Sequence, residues 1–502
     1  RYPDGRLVGA PPSAVGKYGS DTDNWVWPRH TGDFSLFRVY TAPDGSPAEY
    51  SSSNVPMNVA KPLAISLRGV EEGDFTLIYG FPGRTDSYMP VSEVQQQLKT
   101  MLPTRVAMRH EVLRTWDSAM RVDPMVKIQY ASKYASVANG WKKWIGQIEG
   151  MAEVSGVDTL AAREARVAAF SPQGLAVIQR FGEQNDALMD ARWTALYYQE
   201  LIPRWELATW SRLTSAYLKE VAMGDNLDKP RAALRELYKD WNPELDRRAA
   251  QRLIAAWNAN SEVEHAESDL LSFTDPKVSG SVPALPADGA SWEAFDAAAK
   301  SHPALGLSAS LREEYSALMG ELSASETEYQ SGMKDWMAVQ LAYAASTKKQ
   351  IAADANSTLR VAYGRAGGFS PADGMRYTTH TTADGVLAKY RPGDYEFDLP
   401  EAYRTKLEAK DYGPYTLSNG ELPVCFLAAN HTSGGNSGSP AFNDRGELIG
   451  LNFDRVWEGT MSDFYFTPQR CRNIMVDIRY VLWVVDRYAG ADRLIQEMNI
   501  VR

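Results

Sequence analysis

The stretch Gly434-Gly435-Asn436-Ser437-Gly438-Ser439-Pro440, read together with the residues behind it, decides how this chain folds. Behind it come Ala441-Phe442, then Asp444-Arg445-Gly446, then Glu447-Leu448-Ile449-Gly450-Leu451. That order of apolar run, tight-turn residues and apolar run reads as a β-hairpin. Taken alone, Gly-Asn-Ser-Gly is an ordinary Gly/Ser-rich turn. With a hairpin behind it, it reads as a turn that presents a nucleophile. A weakly nucleophilic hydroxyl has to project from a tight turn, and the N–H groups of that turn have to converge on a developing oxyanion. Glycine supplies the unusual dihedrals, and the small neighbours leave room for a peptide backbone. Ser437 is the candidate nucleophile, with the N–H groups of Gly435 and Ser437 as candidate oxyanion donors.

The chain has 502 residues, enough for more than one domain. Its hydrophobic content of 44% and charged content of 23% fit a globular protein. No stretch approaches the ~18 consecutive apolar residues of a membrane-spanning helix. A formal net charge of −10 disfavours nucleic acid as a partner, so selectivity for acidic groups requires a local cation. The two cysteines, Cys425 and Cys471, exclude a disulfide-dense scaffold and a four-cysteine zinc site; one disulfide and two buried thiols are both compatible with them. No two of the six histidines have metal-ligand spacing, so neither a catalytic metal nor another cofactor is expected. The opening Arg1-Tyr2-Pro3-Asp4 carries no initiator Met or signal peptide and leaves localisation unwritten.

Three textures succeed one another along the chain. Residues 1–88 read as strands and turns, with strand patterns at Asp33–Tyr40 and Phe75–Phe81. Residues 89–355 read as helical, with Ser92 as a cap and helix-spaced apolar faces over Trp205–Ala222 and Ser308–Lys348; Val278–Ser291 reads as a long loop. Residues 356–502 return to β patterns, first at Thr358–Tyr363, and end in an amphipathic helix over Ile478–Met498. Each β segment is poor in strands for an independent fold. The layout is that of one β-domain carrying an inserted helical cap domain; three consecutive domains is the alternative.

A nucleophilic serine needs a base and an orienting carboxylate. In trypsin-like barrels that carboxylate opens a strand of the form Asp-apolar-small-apolar-apolar, which Asp33-Phe34-Ser35-Leu36-Phe37 fits. Chain order there is His, Asp, Ser. Only His30 precedes Asp33, and it stands three residues away with no strand between. His431 reads as a structural loop histidine. The expectation is a trypsin-like double β-barrel with an incomplete first barrel, whose first strands and catalytic histidine lie outside this chain.

These residues together resemble the bacterial dipeptidyl-peptidase 7 and 11 family of serine peptidases. The landmarks are Asp21-Thr22-Asp23-Asn24-Trp25, Trp27-Pro28-Arg29-His30-Thr31-Gly32-Asp33, Tyr79-Gly80-Phe81-Pro82-Gly83-Arg84-Thr85, Ala138-Asn139-Gly140-Trp141-Lys142, the Gly434–Pro440 run and Asn452-Phe453-Asp454-Arg455. The resemblance implies a trypsin-like double barrel with a large helical insertion. It also implies a clamp on the substrate's free α-amino group, formed here by Asn24, Trp25, Asn139 and Asp454. A protonated amine has three donors, which a carboxylate and amide oxygens satisfy.

Members with Arg at the position of Arg455 prefer Asp or Glu as the second residue of the substrate; those with Gly accept apolar residues. Two charge-assisted bonds from a guanidinium suit a carboxylate. Ser439 is a further candidate for lining that pocket. The resemblance therefore implies an exopeptidase releasing N-terminal dipeptides, in the periplasm or at the cell surface, as a homodimer. The alternatives are the same chemistry with a broad or apolar preference, and a peptide-binding protein without catalysis.

Overall fold

The fold is mixed β and α. The computed structural model describes residues 1–259 and 267–502, so His265 lies outside the described residues. Two compact units partition the chain. One comprises Arg1–Tyr88, Glu149–Gly156 and Ala352–Arg502; the other comprises Met89–Ile148 and Val157–Ile351.

The first unit carries the strands β1 (Gly5–Gly9), β2 (Leu36–Thr41), β3 (Val55–Pro56), β4 (Ala64–Ser66), β5 (Phe75–Gly80), β6 (Arg360–Arg365), β7 (His380–Thr382), β8 (Pro423–Ala428), β9 (Ser439–Phe442), β10 (Leu448–Arg455), β11 (Asn473–Asp477) and β12 (Asn499–Val501). Among the described residues they form a three-stranded sheet, β1-β2-β3, and a nine-stranded sheet. The larger sheet runs β6-β5-β9-β10-β11-β8-β7, with β4 joining β10 to β12. Its pairings are antiparallel apart from those of β4 with β10 and β12.

β8 and β11 are buried along their whole length, as central strands covered on both faces must be. The faces alternate. Cys425, Leu427, Ile474 and Val476 enter one core with Val481 and Trp483. Phe426, Ala428 and Met475 enter another with Ile78, Ala441 and Ile449. The hairpin behind Ser437 forms as the sequence indicates: β9 pairs with β10 in antiparallel register, Ser439 opposite Asn452.

The second unit is helical. Its long helices are Leu102–Met120, Pro172–Leu201, Glu206–Met223 and Leu307–Ser346, with most of Pro124–Glu153. Its core is aromatic, with Tyr197 stacked on Trp257 at 5.0 Å between ring centres. A single buried carboxylate, Glu200, takes ion pairs from Arg105, Arg109 and Arg204.

Several sequence expectations need correction. Asp33 does not open a strand: residues 31–35 are irregular and β2 begins at Leu36. Gly32 N–H donates to the Val15 carbonyl at 3.0 Å, and Gly32 packs so close to Tyr480 that a side chain there would collide. That contact ties the segment down before pairing starts. Strand β6 starts two residues after Thr358, because Ser357 is in the left-handed region at φ 65°. Ser92 is not the helix cap; Pro90 is, and the Ser92 hydroxyl accepts from Asn185 Nδ2 at 2.9 Å.

The C-terminal segment is not one amphipathic helix. Ile478–Trp483 is buried all round and passes into a π turn, Val484–Tyr488, followed by the short helix Asp492–Gln496 and β12. Helices Ala383–Lys389 and Glu401–Glu408 interrupt the region read as β. Cys425 and Cys471 are both free and buried; burial pushes their thiols up to about 12 and about 11.

Candidate active site

The turn before β9 carries Ser437 exposed at its tip. Gly435 and Gly438 adopt φ values of 102° and 81°, which favour glycine over any residue with a side chain. Gly435 is restricted further, since a Cβ there would sit 2.4 Å from the Phe81 carbonyl oxygen. Ser437 Oγ donates to the Phe453 carbonyl at 3.3 Å, which sets the hydroxyl against β10. Among the described residues, neither the Gly435 nor the Ser437 N–H donates to another protein group. An exposed hydroxyl beside two unpaired amides is an arrangement suited to acyl transfer.

β10 then brings in Asp454 and Arg455. Asp454 Oδ2 accepts from the Trp25 N–H at 3.1 Å and from Arg29 Nη1 at 2.8 Å, while Oδ1 accepts from the Arg455 N–H at 2.8 Å. A carboxylate has about four acceptor positions. One on Oδ1 therefore remains for a ligand donor. Trp25 is held in the left-handed region at φ 66°, a costly conformation for a bulky residue. Its N–H is fixed by Asp454, and its carbonyl accepts from the Trp457 N–H at 2.6 Å. Arg29 completes the anchor by bonding the Asp23 carbonyl and Thr31 Oγ1, both at 2.6 Å. Asp454 thus holds the Asn24-Trp25 loop against β10.

Arg455 is 5% exposed. Its Nη1 donates to the Thr432 carbonyl (3.2 Å), Ser462 Oγ (2.8 Å) and Asp463 Oδ1 (2.7 Å), and its guanidinium lies 5.5 Å from the centre of the Trp25 ring. Its Nη2 is buried and has no hydrogen-bond partner among the described residues. An orphaned charged donor is costly in a protein interior, and a carboxylate is the group that best satisfies it.

Ser437, Trp25, Asp454 and Arg455 are thus linked in one cluster, with Asn24 next to Trp25 in the loop. Asp33 is exposed, and no hydrogen bond joins it to Ser437 or to a histidine among the described residues. Ser439 is buried with its hydroxyl against Gly80, where any side chain would collide, and makes no hydrogen bond to Arg455. Asn139 belongs to the helical unit. It is exposed on helix Pro124–Glu153, next to Gly140, over which Arg109 passes to reach the Val137 carbonyl at 3.2 Å.

The described histidines have other duties. His30 is buried, with its pKa pushed down to about 3 by burial and then by Lys389 and Arg29. His431 stacks on Phe466 and bonds the Ser462 carbonyl at 2.9 Å. His380 stands 4.0 Å from Asp477, His302 caps a 3-10 turn, and His110 stacks on Trp141.

Sequence reasoning missed the roles of Arg29, Asp463 and the asparagines behind the turn. Arg29 and Asn452 stood inside motifs already singled out; Asp463 carried no signal.

A serine on a glycine turn with two open amides, beside a loop held by a carboxylate, belongs to the peptidase class of site. The chain is a member of the peptidase S46 family, whose model it matches over residues 1–500. It is 40% identical over 545 residues to the Asp/Glu-specific dipeptidyl-peptidase of Capnocytophaga gingivalis, covering 100% of this chain and 74% of that one. It is 35% identical to dipeptidyl-peptidase 7 of Phocaeicola vulgatus, covering 100% and 73%. Among solved structures it is similar to Porphyromonas endodontalis DPP11 in complex with the dipeptide Arg-Asp. That match has a TM-score of 0.85 and 33% identity, covering 100% of this chain and 75% of that one.

Proposed function

We propose that this protein is a serine peptidase that releases N-terminal dipeptides whose second residue is Asp or Glu. The observation that carries the specificity is Arg455: buried, balanced on Nη1 by Asp463, and left with an unpartnered Nη2. Ser437 is the nucleophile and the Gly435 and Ser437 amides receive the oxyanion. Asp454 offers its remaining acceptor position to the substrate amine, next to Asn24 and Trp25. Asp33 takes the orienting carboxylate role, and no described histidine bonds to Ser437 to serve as base. The likeness to DPP11 structures supports reading the β-unit as part of a trypsin-like double barrel. Family membership supports a periplasmic or cell-surface homodimer acting on oligopeptides. No described helix is long and apolar enough to cross a membrane.

The test is labelling of the full-length protein by a serine-directed fluorophosphonate, with a free and an N-acetylated dipeptidyl-Asp substrate run in parallel. Labelling at Ser437 and cleavage confined to the free amine are expected. No labelling would leave a peptide binder without catalysis, and equal cleavage of both substrates would refute the amine clamp.

A further inference from the structure

Four asparagines form a buried ladder behind the Ser437 turn: Asn430, Asn436, Asn452 and Asn473, each no more than 3% exposed. Its direction is set by one backbone group. The Asn430 N–H is necessarily a donor, and it bonds Asn473 Oδ1 at 3.1 Å. Asn473 must therefore present Nδ2 to Asn452 Oδ1, at 2.7 Å. Asn452 in turn must present Nδ2 to the Asn436 carbonyl, at 3.1 Å. Each amide orientation is fixed by the one before it.

The Asn436 carbonyl belongs to the same peptide plane as the Ser437 N–H. In a planar trans peptide the two point in opposite directions. A carbonyl drawn inward by Asn452, and by the Ser439 N–H at 3.0 Å, turns the Ser437 N–H outward. The neighbouring plane is locked in the same way. The Gly434 carbonyl accepts from the Gly83 N–H at 2.6 Å, so the Gly435 N–H faces away from Gly83. Flipping either peptide would cost a hydrogen bond, a buried one in the case of the Asn436 carbonyl, and turn a carbonyl oxygen toward the site of negative charge.

We infer that Asn452, oriented by Asn473, and the backbone of Gly83 are positioning groups that aim the two oxyanion donors. The inference rests on Ser437 being the nucleophile. It gives the Tyr79–Gly83 motif a duty: Gly83 has no side chain because a Cβ would stand 2.7 Å from the Gly434 carbonyl oxygen.

The test uses Asn452→Asp and Gly83→Ala in the full-length enzyme. The first places an oxygen against the Asn436 carbonyl; the second pushes the Gly434 carbonyl. The expected result in each is a fall in kcat of about 100-fold, the scale of losing one oxyanion donor, with KM unchanged. Affinity for a dipeptidyl boronate, which is tetrahedral when bound, should fall by the same factor while affinity for the product dipeptide stays. Tyr415→Phe, which removes a bond to Asp486 elsewhere in the unit, controls for lost stability and should keep kcat. Full kcat in both variants, or equal losses of boronate and product binding, would overturn the inference. A wild-type enzyme that neither cleaves dipeptidyl substrates nor binds the boronate would instead refute Ser437 as nucleophile, and the inference with it.

Discussion

Arg29 and Arg455 are both buried, both paired with an aspartate and both engaged with the Trp25 loop, yet they are equipped for different work. Arg29 uses Nε and Nη1 on Thr31, Asp23 and Asp454, groups of its own loop and of β10. Arg455 concentrates its three side-chain bonds on Nη1 and leaves Nη2 without a partner. The first cation is architecture, since its charge is matched by Asp454 and its donors hold a strained loop in place. The second is a receptor with spare donor capacity. A buried cation thus indicates a binding site only once its donors have been counted.

The largest effect should come from Arg29. Arg29→Met strips the partner from a buried carboxylate, and breaking such a pair costs about 3–5 kcal/mol. Urea unfolding should record that loss, together with a raised KM for free-amine substrates as Trp25 is released. A variant of wild-type stability would mean that Asp454 needs no counter-charge.

Acid should bring a smaller loss. His30, with its pKa pushed down to about 3, binds fewer protons folded than unfolded at every pH between that value and its ordinary range. Its contribution is therefore complete above about pH 6.5 and declines as pH falls toward 3, by at most about 1.4 kcal/mol per pH unit. His380 and His431, also held down by burial, act in the same direction. Urea midpoints at pH 7 and pH 5 should differ in this sense, and less so in His30→Gln. Carboxylates whose pKa burial raises, such as Asp23 and Asp86, act in the opposite direction in both proteins. The same pH dependence in the wild type and His30→Gln is therefore the result that would contradict the burial of His30 as a neutral ring.

The smallest effect concerns the partner of Arg455. Asp463→Asn removes the anion that competes with a substrate carboxylate. Preference for Asp over Leu as the second residue should rise by roughly three- to tenfold, about 0.6–1.4 kcal/mol. A fall in that preference would show that Asp463 orients the guanidinium rather than competing for it.

Much of this was legible from local sequence. The Ser437 turn and its hairpin lie within about twenty residues, and turn chemistry is a short-range property. β5 is a short apolar run closed by Pro82-Gly83, and β5 ends one residue before the run does. The C-terminal segment misled because Ile478–Val485 is buried on every side, where helix periodicity carries no information about an exposed face. Asp33 misled because the pattern of a strand does not reveal that Gly32 is pinned on Val15 and Tyr480. In the site, Arg455 could be picked out through the resemblance of the Asn452-Phe453-Asp454-Arg455 stretch to the family. Its balance with Asp463 could not, nor could the pairing of Arg29 with Asp454 across 425 positions. The asparagine ladder joins residues from β8's end, the turn, β10 and β11, and only folding makes them neighbours.

The most direct test of the acidic specificity is the ratio of kcat/KM for dipeptidyl substrates that end in Asp or in Leu, in the wild type and in Arg455→Gly. One or more charge-assisted hydrogen bonds from Arg455, at about 1.5–3 kcal/mol each, predict a wild-type preference for Asp of at least tenfold that disappears or reverses in the variant. A variant that keeps the preference for Asp would contradict it.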